Sequence, residues 1–294
     1  MGYGSYTSED WVKLKTSSRI TSTSRANEIF KKTSMEPKFD PKFIGKRESR
    51  DSEDHPDSTP IIIGLDVTGS MGYLAAQIAK ESLHETMMKL FSTKPVNDPQ
   101  IMFAAIGDVE DRAPLQVTQF ESDIRIGEQL LQLWLEGEGG DGPEDYPLLW
   151  YFASRHTSTD RYEKRHKKGY LFTIGDNDCH SMISGPDIKR IFNDEALSLT
   201  TLKLAEEAKK KYELFHIHLG GGSVPVFSGA IPGKIIKINS DEIKYIPEII
   251  VSVLMLCKGH TPDEVYGNWS EAVRPIIKVA LRDVLIESGG KVSF

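Results

Sequence analysis

From residue 60 onward, unbroken apolar runs alternate with segments whose apolar residues recur every three or four positions. Runs at 61–65, 101–106, 170–174, 214–219 and 234–238 show no inward–outward alternation, which predicts strands covered on both faces. Between them, residues 73–91 place Leu74, Ala75, Ile78, Ala79, Leu83, Met87 and Leu90 on one face, the spacing of a helix packed on a sheet. Further helices are predicted at 126–135, 148–154, 198–212 and 243–256, and a short edge strand at 117–120. This alternation predicts a doubly wound α/β fold with a mostly parallel central sheet flanked by helices.

The flanks read differently. Residues 1–60 have no long hydrophobic period and are rich in Ser and Thr, with Pro37, Pro41, Pro56 and Pro60. They predict an arm with short helices at 10–14 and 24–32, anchored on the core through Trp11 and Phe30. Phe39 and Phe43 add to an aromatic content too high for a free tail. Beyond residue 259, residues 262–288 predict one or two helices with Trp269, Val273, Ile277, Leu281 and Leu285 on the apolar face. The expected division is therefore an arm at 1–59, a central domain at 60–258 and a helical extension at 259–294.

Charge narrows the function. The 294 residues carry 36 Lys and Arg against 43 Asp and Glu, a net −7, which argues against a duplex-wrapping surface. Acid is concentrated between Glu121 and Asp145, where eight carboxylates accompany only Arg125; such a run suits a solvated surface or the rim of a cation site. Residues 1–50 are basic by five charges, so the arm is expected to pair with acidic surface on the core or to bind a partner. Two cysteines fit a reducing compartment, and no apolar run approaches the roughly 20 residues of a membrane span. The chain reads as soluble and cytoplasmic.

Candidate chemistry gathers where strands end. The first run stops at Asp66-Val67-Thr68-Gly69-Ser70, a carboxylate and two hydroxyls at alternate positions, hard oxygen ligands suited to Mg²⁺ or Mn²⁺. An ordinary strand-to-helix turn capped by Thr or Ser would look similar in isolation. Asp108 and Asp176 also follow strand ends, where open α/β sheets place ligands. The acidic glycine loop at 137–145 precedes a helix and lets backbone approach an ion closely.

The Asp-x-Thr-Gly-Ser loop resembles the Asp-x-Ser-x-Ser loop of von Willebrand factor A (VWA) domains, their metal-ion-dependent adhesion site. Residues 137–145, Gly-Glu-Gly-Gly-Asp-Gly-Pro-Glu-Asp, resemble the Gly-Gly-x-Asp-x-Pro-Glu loop of intracellular bacterial VWA proteins. Residues 172–176, Phe-Thr-Ile-Gly-Asp, resemble the strand and Asp that complete the site. The resemblance covers roughly residues 60–258 and implies Asp66, Thr68, Ser70 and Asp176 as metal ligands. Adhesive VWA domains supply a Thr from the second loop; this one has none, and Asp141 is the expected replacement. Asp178 stands nearby as a spare carboxylate or turn former.

The implied function is non-enzymatic: an interaction module of bacterial or phage type, binding an Asp or Glu of a protein partner through Mg²⁺ or Mn²⁺, with no nucleic acid or membrane partner. The alternative is a Mg²⁺-dependent phosphohydrolase of haloacid dehalogenase type, which also opens with a strand and Asp. Those enzymes carry a general-acid Asp two residues later, where this chain has Thr68. Other signals fail. The glycine loops lack a P-loop's Gly-Lys-Ser/Thr ending. Cys179-His180 has no second Cys/His pair at zinc spacing. His216 and His218 read as core histidines, and the basic stretch 161–168 as a solvated loop.

Overall fold

An eight-residue run buried at every position, Thr59–Asp66, forms β1 inside a six-stranded sheet. The computed structural model describes residues 4–137, 142–286 and 290–291. The other sheet strands are β2 (Pro99–Ile106), β3 (Leu115–Val117), β4 (Gly169–Gly175), β5 (Tyr212–Leu219) and β6 (Ile235–Ile238). Their order is β6-β5-β4-β1-β2-β3, parallel throughout except for the antiparallel edge strand β3. The chain leaves β1 toward β2 and later returns on its other side as β4. That reversal of direction opens a crevice at the C-terminal ends of β1 and β4, the usual ligand position in such sheets.

Successive residues of β1 serve two cores. Ile61, Ile63 and Leu65 face one apolar layer, and Ile62 faces the other. The first layer contains α2 (Gly72–Gln77), α3 (Leu83–Thr93) and α9 (Ile246–Cys257); the second contains α5 (Tyr146–Arg155), α6 (Gly185–Phe192) and α7 (Thr201–Ala208). Gly64 sits where a Cβ would lie 2.4 Å from Leu149 Cδ2, so its missing side chain lets α5 lie close to the sheet. Helices α2 and α3 are one rod with a wide turn at Ile78–Ser82, where the Leu83 N–H reaches the Ile78 carbonyl. The Lys80 carbonyl within that turn accepts from Lys15 Nζ at 3.0 Å. Lys15 belongs to α1 (Ser8–Ser18), in the arm.

The arm lies on the first core layer through Tyr6, Trp11, Phe30 and Phe39, all buried. Trp11 stacks on His84 with centroids 5.8 Å apart. Phe43, counted among the arm's aromatics, is instead 68% exposed. The charge pairing runs in both directions. As expected of a basic arm, Arg50 reaches Asp160 at 2.9 Å and Glu163 at 2.8 Å, while the acidic end of the arm meets the basic loop, where Arg165 grips Asp51 at 2.7 Å and Asp57 at 2.9 Å. The 161–168 stretch is thus partnered, not simply solvated. Arg47–Ser49 also pairs in parallel with Thr157–Thr159, a two-stranded contact absent from the sequence reading.

Downstream, α4 (Arg125–Leu130) ends sooner than the expected 126–135, and α6 occupies a stretch for which no helix was expected. Ser184 caps α6 by accepting from the Asp187 N–H, with Pro186 in its first turn. Beyond α8 (Pro225–Ala230) and α9, the extension folds as α10 (Pro262–Gly267) and α11 (Arg274–Leu281), packed through Val265, Trp269 and Ile277. No helix among the described residues is long and apolar enough to cross a membrane.

Candidate metal centre

Asp66, the last residue of β1, is fully buried, and both its oxygens are engaged. Oδ1 accepts from the Thr68 N–H at 3.0 Å and the Thr68 hydroxyl at 2.6 Å; Oδ2 accepts from the Tyr146 hydroxyl at 2.6 Å. Tyr146 opens α5, and the space for its hydroxyl is provided by Gly175, where a Cβ would stand 1.9 Å from that oxygen. The small residue at the end of β4 is therefore part of the site's construction. Gly69, at φ +40°, takes the left-handed turn that carries the loop from Thr68 into α2.

The Thr68 hydroxyl has one proton and faces two carboxyl groups. Besides Asp66 Oδ1, it lies 2.8 Å from Oε1 of Glu144, which is 4% exposed. With both acids ionised, one of these two contacts lacks a hydrogen. The groups respond as buried acids do: burial, with the Asp66 charge next, pushes Glu144 up to about 8. Burial, opposed by the hydrogen bonds from Thr68 and Tyr146 and aided by the Asp176 charge, pushes Asp66 up to about 6. Glu144 Oε2 makes no hydrogen bond of ordinary geometry, although Asn177 is close enough to lower the group's pKa. Buried oxygens short of protons are what a divalent cation satisfies, so this donor set fits Mg²⁺ or Mn²⁺.

Of the sequence-predicted ligands, Asp66 and Thr68 are in direct contact, and Asp176 is near enough for its charge to act on Asp66. Asp141 and the Ser70 side chain lie outside the described residues. The acidic loop reaches Thr68 through Glu144, which sequence reasoning quoted within the motif but did not name as a ligand; its position just before a helix opened by Tyr146 and Pro147 was the available signal. Asp178, expected as a spare carboxylate or turn former, is not spare. It accepts from the N–H groups of Val226 at 2.9 Å and Phe227 at 3.1 Å, capping α8. His216 is fully buried, bonded through Nδ1 to Thr173 at 2.9 Å and stacked 3.8 Å from Phe227, and burial pushes its pKa well below the usual range. His218 is likewise a buried histidine.

Of a neighbouring group, only Asp108 was expected at a ligand position. Asp108 after β2, Asp145 before α5 and His180 after β4 bring ligand atoms within 4.8 Å of one another. Cys/His spacing had dismissed His180, whereas its neighbours come from loops distant in sequence.

No protein-family model matches the sequence, and neither does any curated protein. Among solved structures, the chain is similar to the pilus adhesin SpaC from Lactobacillus rhamnosus GG in its open conformation, at 10% identity and a TM-score of 0.48, over 71% of this chain and 31% of that one. It thus spans about a third of the adhesin. A von Willebrand factor type A protein from Catenulispora acidiphila is similar at 13% identity and a TM-score of 0.42, over 68% of this chain and 43% of that one. The vWF domain of the type V pili tip protein Mfa5 from Porphyromonas gingivalis gives 9% and 0.44, over 68% and 96%. With each of these TM-scores below 0.5, the likenesses carry no argument about the site, which rests on the contacts above.

Proposed function

We propose that this chain is a divalent-metal-dependent protein-interaction module of the VWA type, acting without catalysis. The observation that carries the reading is the single Thr68 proton set between Asp66 and Glu144 at the end of a central strand. Asp66, Thr68, Ser70 and Asp176 would hold Mg²⁺ or Mn²⁺, with Glu144 as a further carboxylate and Asp141 in place of the missing Thr. The cation supplies an open position for an Asp or Glu of a protein partner. A phosphohydrolase is less well supported: Thr68 occupies the general-acid position, and hydrogen bonds to both Asp66 oxygens weaken it as a nucleophile. Two unpaired cysteines support a reducing, cytoplasmic setting.

Calorimetry with Mg²⁺ and Mn²⁺ tests the site. Wild type should bind one ion at this position and Asp66→Asn should lose at least tenfold in affinity while keeping its circular dichroism. Unchanged affinity in the folded variant overturns the assignment. Capture of an acidic partner that persists in EDTA overturns the metal-dependent mode.

A further inference from the structure

Three loops meet beside the Asp66 site through side chains that the proposed function leaves unused. Asp108 and Asp145 are 2% and 1% exposed, and one atom from each lies within 4.8 Å of the other and of an imidazole nitrogen of His180. Backbone contacts fix their directions. Asp108 Oδ1 accepts from the Glu110 N–H at 2.8 Å while Oδ2 lies 3.5 Å from His180 Nε2, and Asp145 Oδ2 accepts from the Val109 N–H at 2.8 Å. The His180 N–H reaches the Glu144 carbonyl at 3.2 Å, and the Glu144 N–H the Asp178 carbonyl at 2.9 Å, tying the two site-bearing loops together.

The charge does not balance within this group. Two buried carboxylates face one imidazole, which brings at most one positive charge. Arg190 is directed elsewhere, to the Val109 carbonyl and to Asp187 at 3.2 Å. Buried negative charge in this excess is costly unless a cation joins it. An imidazole with two carboxylates suits borderline transition ions, in contrast to the all-oxygen set around Asp66.

We propose that Asp108, Asp145 and His180 form a second cation site, for a divalent transition ion of the Zn²⁺ or Co²⁺ class, beside the Asp66 site and built from different side chains. The proposal does not depend on the Asp66 reading, because its residues and its preferred ion differ.

Co²⁺ is the probe, titrated into the whole protein in a large excess of Mg²⁺, which competes well for oxygen ligands and poorly for imidazole. Wild type should take up one Co²⁺ under these conditions, seen in visible absorption, with paramagnetic broadening of the His180 ring resonances. His180→Gln, at a partly exposed loop position, should lower Co²⁺ affinity at least tenfold, and Asp145→Asn should do likewise if the first variant is poorly folded. No Co²⁺ uptake by wild type in Mg²⁺, or undiminished affinity in a folded variant, overturns the site. A sulfur-to-cobalt band would assign the ion to Cys179 and overturn this ligand set.

Discussion

Replacing Glu144 by Gln should make the metal-free protein more stable in alkali, contrary to the usual result of altering a buried hydrogen-bonded group. In the folded chain this carboxyl titrates near 8, raised from 4.5 by burial and then by the Asp66 charge. A raised acid binds its proton more tightly in the folded state, so its stabilising effect is complete below pH 4.5 and is lost as pH rises through about 8. The full shift corresponds to about 5 kcal/mol, and allowing for partial solvation and screening about 2 kcal/mol is expected. The amide introduced by Glu144→Gln would still accept from Thr68 but would not titrate. Urea unfolding in EDTA at pH 5.5 and 8.5 should therefore show wild type losing about 1.5 kcal/mol more than Glu144→Gln across that interval, the rest of the loss falling below pH 5.5. Adding Mg²⁺ at pH 8.5 should restore wild type more than the variant. Equal pH slopes for the two proteins would refute the shared-proton reasoning, whatever the metal does.

Gly175→Ala should cost about 1–3 kcal/mol, because its Cβ would sit 1.9 Å from the Tyr146 hydroxyl, and less in a Tyr146→Phe background. Additive costs in a double-mutant cycle would show that the contact is relieved elsewhere. Trp11→Ala should lose about 3 kcal/mol and make the arm cleavable at Lys13 and Lys15; tryptic cleavage at the wild-type rate would show that α1 is held by other contacts.

The sheet was legible because its central strands are covered on both faces, and residues 61–65 or 101–106 can hardly be anything else. At the edge the pattern loses force. The short strand was expected at 117–120 and ends at Val117, since Thr118 pairs with Phe103 partly through its hydroxyl. Helix α6 carried its own start signal in Ser184 and Pro186, but its eight residues were too short to stand out between two strands. Asp66 and Thr68 were readable as a pair two residues apart. Glu144, Tyr146 and the Asp108–Asp145–His180 group were not, because their proximity depends on the lateral order of strands, which no local spacing records.

The wide turn at Ile78–Ser82 bears on how this protein can be divided. It places one residue more in the rod than a regular helix would hold, and the Lys80 carbonyl it turns aside is met by a lysine from the first twenty residues. The helix that starts at the candidate metal loop is thus wound to suit a segment lying outside the domain that its sequence resembles. A fragment beginning at residue 59 would keep every side chain of the Asp66 site while losing the splint on the rod behind it. Sheet and arm pack as one unit, and changes in the first twenty residues have a direct route to the helix that follows the loop between Asp66 and Gly72.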